Sequence, residues 1–224
     1  MKIHLDSADM AEIRWAASAG LIDGVTTDPT LISHAAGARD PRDLLQEICG
    51  LVAGPVTAQV VAVDTEGMYR EGKELARLAD NIVVQVPMIE DGLAAARRLA
   101  AEGVDVNVTL VFSAMQGLLA ARAGAAYVSP FVGRLDDAGQ DGMEVVGQLR
   151  TIFRTYDVEA QILAASLRHP RHVLQAALAG ADVAAVPAEV LRQLLLHPLT
   201  DRGLDRFLND WSTLGHPARP EDAS

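Results

Sequence analysis

The sequence is poor in cysteine, lysine and aromatic residues, and each scarcity limits the sites or the core that the chain can form. The single cysteine, Cys49, rules out an internal disulfide and a cysteine-based metal site, and we expect it in the core. Lys2 and Lys73 are the only lysines, so a mechanism that needs a lysine amine must use one of them. Aromatic residues make up 4% of the chain, so alanine, valine, leucine and isoleucine must build the core.

Positive charge and long apolar runs are also scarce. The net charge of −11 argues against binding to nucleic acid or to an anionic membrane. No apolar run approaches the ~20 residues of a membrane-spanning helix. The chain also opens on a strand-like segment rather than on a signal peptide. We therefore expect a cytoplasmic protein without nucleic-acid or membrane partners. The histidines lack metal-ligand spacing and no glycine-rich phosphate loop occurs, so we expect no metal and no cofactor.

What the sequence does contain is a regular alternation of short strand-like runs and helical patterns. Eight such units follow one another without a break in composition. This favours a (β/α)₈ TIM barrel, in the α/β class, over an open sheet. We expect the barrel to span residues 1–199. An additional C-terminal helix is predicted at residues 200–214 with Thr200 as its cap, and a flexible polar tail at residues 215–224.

Three further local features are predicted. Ser7 is expected to cap the first helix. The segment Phe131 to Asp137 is expected to be a loop. His4 is expected to be a core histidine whose polar atoms have partners.

The run from Asn81 to Met88 is almost wholly apolar, which is typical of a strand buried on both faces of a parallel sheet. Gln85 is its polar residue near the carboxyl end, two positions before a proline that should end the strand. Active sites of TIM barrels lie at the carboxyl ends of the strands. We therefore predict that Gln85 points into a site.

Polar residues stand at the ends of most other strands as well. They are Asp6, Thr26, Asp28, Gln59, Asn107, Thr109, Ser129, Arg134, Ser166 and Arg168. Arg134, Ser166 and Arg168 follow strands six and seven, near the last loops, where TIM barrels commonly hold a phosphate. A guanidinium fork suits a phosphate dianion, so this group is a candidate phosphate site.

Several motifs resemble one family. DGVTTDPTLI (Asp23 to Ile32) resembles the DGVTTNPS signature of transaldolases, and VVQVPM (Val83 to Met88) resembles their VVKIPM strand. The motifs NVTLVFS, YVSPFVGRLDD, AASLRHP, HPLTDRG and FLNDW are similar too. The resemblance covers almost the whole chain. It is closest to the short, single-barrel transaldolases and the related fructose-6-phosphate aldolases.

The resemblance implies a barrel that moves a dihydroxyacetone unit between sugar phosphates through a Schiff base on a strand-four lysine. It implies that Asp6 is a general acid/base and that Arg134, Ser166 and Arg168 bind phosphate. Residues that would hold the catalytic water and the substrate hydroxyls are Thr26, Gln59, Asn107, Thr109 and Ser129. Phe131 is the transaldolase choice where the aldolases tend to carry tyrosine. The resemblance further implies a ring-shaped homo-oligomer in which the C-terminal helix packs on a neighbouring subunit.

Two positions depart from the family pattern. Gln85 stands where the family has its Schiff-base lysine, and an amide nitrogen conjugated with its carbonyl cannot add to a ketone. Lys2 begins strand one at the opposite end of the barrel, and Lys73 lies in a predicted exterior helix, so neither should substitute. Asp28 stands where the family has asparagine. A carboxylate beside Asp6 should push one of the two pKa values upward.

We therefore expect a transaldolase-like enzyme that acts on phosphorylated sugars without a lysine Schiff base. Its chemistry would be aldol-type transfer or cleavage, or an acid–base rearrangement by Asp6 and Asp28. The expected catalytic group is Asp6, Asp28, Gln85, Gln59 and Thr109. Two alternatives stay open: a catalytically silent sugar-phosphate-binding protein, and an ordinary transaldolase inactivated at position 85.

Overall fold

The computed structural model describes residues 1–213, which form a closed barrel of eight parallel strands surrounded by helices. The strands are β1 Lys2–Asp6, β2 Gly24–Thr26, β3 Val56–Gln59, β4 Ile82–Pro87, β5 Val106–Val111, β6 Tyr127–Pro130, β7 Gln161–Ala164 and β8 Val183–Pro187. Each strand pairs with the next in the chain, and β8 closes the barrel against β1. The predicted (β/α)₈ fold with an additional C-terminal helix is confirmed.

The helices alternate with the strands. In the described residues they are α1 Met10–Ser18, α2 Pro29–Ala36, α3 Pro41–Leu51, α4 Thr65–Ala76, α5 Glu90–Ala101, α6 Ala114–Arg122, α7 Val132–Asp137, α8 Gly142–Thr155, α9 Pro170–Ala179, α10 Ala188–Leu195 and α11 Pro198–Thr213. None of them is both long enough and apolar enough to cross a membrane.

Two layers of buried side chains hold the barrel. The larger lies between the sheet and the helices, and it is built mainly from alanine, valine, leucine and isoleucine, as predicted. Cys49 is buried there, as expected. The smaller layer includes Val83, Tyr127, Leu163 and Val183 on β4, β6, β7 and β8. Full burial of such an aliphatic side chain stabilises the fold by about 1.5–3 kcal/mol.

Helix α2 was not predicted, and its caps explain why it forms. Asp28 is its N-cap, and the Asp28 carboxylate accepts a hydrogen bond of 2.8 Å from the backbone N–H of Leu31. Pro29 occupies the first turn, where its fixed φ suits a helix and its missing N–H costs no bond. The Asp-Pro-Thr segment, which follows the end of β2 at Thr26, is therefore the start of a helix.

Three other local predictions were wrong. Asp9, not Ser7, caps α1, because its carboxylate accepts the N–H groups of Ala11 and Glu12. The predicted loop after β6 contains α7, a short helix that begins at Val132. Thr200 lies inside α11, which begins at Pro198.

Helix α11 has no buried residue, although it carries large apolar side chains such as Leu204 and Phe207. Residue 214, expected to end this helix, and the predicted tail at 215–224 lie outside the described residues.

Candidate active site

A cavity of about 380 Å³ opens at the carboxyl ends of the strands. It is lined by Asp6, Thr26, Thr27, Asp28, Pro29, Thr30, Gln59, Gln85, Thr109, Leu110, Ser129, Phe131, Arg134, Leu163, Ala165, Ser166 and Ala185. All the predicted site residues except Asn107 and Arg168 are in this lining. Within residues 1–213, no cluster of three His, Cys, Asp or Glu side chains could hold a metal ion.

A row of amide side chains crosses the wall of the cavity. The register of the sheet places Gln59, Gln85 and Asn107 side by side on β3, β4 and β5. The Nε2 of Gln85 donates to the Oε1 of Gln59 at 2.8 Å, and the Nδ2 of Asn107 donates to the Oε1 of Gln85 at 2.9 Å. The hydroxyl of Ser129 extends the row by donating to the Oδ1 of Asn107 at 2.8 Å. Gln85 is therefore held from both sides.

Asn107 lies behind this wall rather than in the lining. It is 1% exposed, and its amide is engaged on one side by Ser129 and on the other by Gln85. From this position it orients the side chain at 85 and does not itself line the cavity.

Asp6 is the carboxylate at the end of β1, and its environment favours the protonated form. Burial raises the pKa of Asp6 to about 6; a hydrogen bond from Thr26 opposes this shift, and the charge of Asp28 adds to it. The Thr26 hydroxyl donates to the Oδ1 of Asp6 at 2.8 Å across the β1–β2 pair. A carboxyl group with a pKa near neutrality can both hold and release a proton.

Asp28 belongs both to the cavity and to the start of a helix. It lines the cavity, and it caps α2 through Leu31. An N-cap carboxylate also lies at the positive end of a helix dipole, which stabilises its negative charge.

The rim of the cavity is formed by residues that follow β6 and β7. The guanidinium carbon of Arg134 lies 5.0 Å from the centre of the Phe131 ring, within the range of a cation–π contact. Phe112 meets the same ring edge-on, with 6.0 Å between the centroids. Ser166 lines the rim from the other side with a left-handed backbone, φ 59°.

Arg168 lies outside the cavity lining and is engaged elsewhere. Both terminal nitrogens of its guanidinium donate to the two carboxylate oxygens of Asp137, the last residue of α7. These hydrogen bonds lower the pKa of Asp137. The Arg168 side chain runs over the backbone of Gly133, where a Cβ would lie 2.7 Å from its Nε. Glycine at 133 thus leaves room for the Arg168 side chain.

Several lining residues were not predicted from the sequence. Leu163, Ala165 and Ala185 lie on the inner face of β7 and β8 or just beyond the strand end, and their two-residue spacing was a usable signal. Thr27 and Thr30 flank Asp28, and recognising α2 would have indicated them.

Leu110 had no such signal. The register between β5 and β6 shifts between Val108 and Val111, and Leu110 has a left-handed backbone with φ 59°. In a regular strand Leu110 would point away from Thr109, but at this irregularity both residues line the cavity. Strained backbone of this kind clusters at functional sites.

His4, below Asp6 on the same face of β1, differs from its prediction. It is 1% exposed, and within the described residues neither ring nitrogen has a hydrogen-bond partner. Burial lowers the pKa of His4 to about 4, so the ring is neutral near pH 7. His4 therefore lies in the core as expected, but the expectation that its ring nitrogens have hydrogen-bond partners was wrong.

A second, larger cavity of about 530 Å³ lies beside the first, between α2, α3 and α4. The two share Thr27, Asp28, Pro29 and Gln59. Its lining is mostly apolar, with groups such as Ile32, and the acid/base candidate Asp6 belongs to the smaller cavity.

Comparison with known proteins assigns the chain to a family. The model of the family described as "Transaldolase/Fructose-6-phosphate aldolase" matches residues 3–217. The chain belongs to this family. The resemblance seen in the motifs is thereby confirmed at the level of the family.

Curated relatives agree. A "Probable transaldolase" of Halalkalibacterium halodurans is 54% identical over 95% of this chain and 99% of its own length. One of Geobacter metallireducens is 54% identical over 94% of this chain and 98% of its own. One of Methanococcus maripaludis is 51% identical over 94% of this chain and 97% of its own length. Membership supports the expectation of an enzyme of the transferase or aldolase kind.

Proposed function

We propose that this protein is a transaldolase-like enzyme that acts on phosphorylated sugars without forming a Schiff base at position 85. The observation that carries the proposal is the pairing of two groups in one cavity: Asp6, a carboxyl group whose pKa is raised to about 6, and Gln85, an amide held in the wall. The first can exchange protons near neutral pH, and the second cannot add to a carbonyl.

In this proposal Asp6 is the acid/base. As a carboxylate it would remove a proton from a hydroxyl or from the carbon next to a carbonyl, and as a carboxylic acid it would return one. Asp28 contributes through its charge, which adds to the elevation of the pKa of Asp6. Proton transfer of this kind supports both aldol-type cleavage and the rearrangement of a sugar phosphate.

Gln85 would act as a hydrogen-bond donor to the reacting carbonyl. A primary amide carries two N–H groups, and one of those on Gln85 is directed to Gln59. The other is available to an oxygen in the cavity that Gln85 lines. A neutral donor leaves the negative charge of the developing enolate largely on oxygen, whereas a protonated imine takes up the same electron pair to become a neutral enamine, so we expect slower turnover than in a Schiff-base enzyme.

The remaining predicted residues would bind the substrate. Thr26, Thr109 and Ser129 present hydroxyls in the middle of the cavity, and Asn107 acts through Gln85. Arg134 and Ser166 at the rim would hold the phosphate, and Arg168 would join them from its position beside Gly133. Phe131 holds Arg134 by stacking.

We also propose that α11 packs on a neighbouring subunit of a homo-oligomeric ring. The support is its unburied apolar surface, on which Leu199, Leu204 and Phe207 are each more than half exposed. Replacing Phe207 with glutamate should dissociate the oligomer in sedimentation experiments, whereas replacing the exposed Arg202 with glutamate should not. Equal sedimentation of the Phe207 variant and the wild type would contradict this packing.

The reaction is tested by incubating the protein with ketose and aldose phosphates in deuterated water, with and without an aldehyde acceptor. We expect deuterium incorporation next to the carbonyl, or new carbon–carbon products, detected by NMR. Asp6→Asn should abolish both, while Glu159→Gln, which removes an exposed charge before β7, should change neither. Binding of a sugar phosphate without exchange or turnover would show a silent binding protein instead.

A further inference from the structure

The ion pair between Arg168 and Asp137 sits at the edge of the cavity rim. Arg168 follows Ser166 by two residues, and its side chain crosses Gly133, the neighbour of Arg134. Ser166 and Arg134 both line the cavity, while Arg168 does not. The arginine is therefore close to the rim but turned towards the carboxylate at the end of α7.

The Asp137 carboxylate occupies the place on the Arg168 guanidinium where an external anion could bind. Asp137 presents two oxygens to the two terminal nitrogens of the guanidinium, which is the fork-to-fork arrangement that a phosphate group also forms. The side chains of Arg168 and Asp137 are 47% and 58% exposed. An exposed ion pair contributes little to stability, so a dianion can displace the carboxylate at low cost.

Within residues 1–213, the adjacent acid Asp136 does not replace Asp137 as the partner of the Arg168 guanidinium. Asp136, the adjacent acid, is engaged by other groups: its carboxylate lies 3.0 Å from the Nε2 of His172 and accepts the N–H of Gly142 at 3.0 Å. Asp137 is thus the acidic side chain that pairs directly with the guanidinium.

We propose that Asp137 is an internal competitor of the substrate's phosphate group. In the free protein it holds Arg168 away from the cavity, and a phosphate dianion at Arg134 and Ser166 takes Arg168 from it. Asp137 thereby sets the affinity for phosphorylated against unphosphorylated ligands. This inference rests on the proposed function only in placing a phosphate at the rim.

Calorimetric titration with inorganic phosphate at low ionic strength tests the proposal. Asp137→Asn should tighten phosphate binding by about two- to fivefold, the factor that corresponds to release from an exposed ion pair. Arg168→Gln should weaken binding. In the double variant the effect of Asp137→Asn should vanish, since there is no guanidinium left to compete for. The matched control is Glu159→Gln, which removes one exposed negative charge at the other end of the barrel.

Any one of the following results would overturn the proposal. If Asp137→Asn weakens phosphate binding as Arg168→Gln does, Asp137 positions the arginine instead of competing for it. If Asp137→Asn tightens binding equally in the Arg168→Gln background, the effect is one of net charge. If the wild type and the Asp137→Asn variant both fail to bind phosphate, the rim is not a phosphate site.

Failure of the proposed reaction is distinguishable from these results. An absence of turnover with sugar phosphates, together with the expected phosphate affinities, would refute the reaction and leave the competition intact. Turnover with sugar phosphates, together with a phosphate affinity that Asp137→Asn leaves unchanged, would refute the competition and leave the reaction intact.

Discussion

The Nε2 of Gln85 donates a 2.8 Å hydrogen bond to the Oε1 of Gln59, and this contact directs the fourth strand's polar side chain along the cavity wall. Asn107 supports Gln85 from the other side. The side chain at position 85 therefore lies between two amide groups, those of Gln59 and Asn107, whose oxygens can accept hydrogen bonds from a nitrogen at this position. The consequences of this arrangement can be tested at position 85 itself.

The variant Gln85→Lys should form an imine with dihydroxyacetone. The introduced amine would lie among amide oxygens, and its burial would lower its pKa, so that a nucleophilic neutral fraction exists near neutral pH. Borohydride should reduce the imine to a stable adduct, which intact-protein mass spectrometry detects.

Gln85→Met is the matched control, since its side chain has a similar length and no amine. Neither the control nor the wild type should form an adduct. An adduct in the wild type would mean that Lys2 or Lys73 reaches the substrate, contrary to our expectation. Its absence in Gln85→Lys would mean that the surrounding residues no longer support the imine.

The rate of a base-catalysed step should rise with pH through about 6, since the pKa of Asp6 is raised to about 6 and only its carboxylate accepts a proton. Asp28→Asn should move this rise to lower pH, because it removes a charge that raises the pKa of Asp6. Asparagine is as good an N-cap as aspartate, so α2 should be kept. The pH profile of kcat/KM, or of deuterium exchange, measures the shift.

Asp64→Asn is the control for the Asp28 variant. Asp64 caps α4 by accepting the N–H of Gly67 at 2.9 Å, and it does not line the cavity. Its replacement should leave the profile where it was. A shift of the same size in both variants would point to net charge rather than to Asp28.

Asp6→Asn should stabilise the protein near neutral pH. The pKa of Asp6 is raised from 3.8 to about 6 on folding, so the folded state binds the proton more tightly than the unfolded state, and stability is lost as the pH rises through this interval. Removing the carboxylate should therefore raise the free energy of unfolding above pH 6 by about 2–3 kcal/mol and have little effect near pH 4. Urea denaturation at the two pH values measures the difference. A variant less stable than the wild type at neutral pH would contradict it.

His4→Leu should remove a source of acid instability. The pKa of His4 is lowered from 6.5 to about 4, so the unfolded state binds the proton more tightly, and stability is lost as the pH falls from 6.5 towards 4. The full loss is about 3 kcal/mol, and the leucine variant should lack it. Denaturation curves at neutral and acid pH test this, with the exposed His34 replaced as the control. An equal acid loss in wild type and His4→Leu would assign the instability to other groups.

The barrel was predictable because its signals are local. The strands are short and mostly apolar, and most of the helices between them have an apolar periodicity of their own, so eight repeats of the alternation suffice to indicate the fold. The missed elements, α2 and α7, are short helices separated from the preceding strand by only one or two residues, so the sequence offers little room for a separate helix signal. The interior environment of His4 could not be read from the chain, because partners for a ring nitrogen come from other strands.

The candidate site, like the fold, was predictable from the sequence only in part. Gln85, Asp6, Asp28 and the polar residues at the other strand ends could be identified from the sequence, because in a barrel the ends of all strands converge. The chain also determined that the nitrogen at position 85 belongs to an amide, and so which chemistry is excluded there. Only the tertiary structure decided that Asn107 stands behind Gln85 and that Arg168 is paired with Asp137. A pairing between side chains depends on distances of a few ångströms between residues far apart in the chain, and those distances exist only once the barrel has closed.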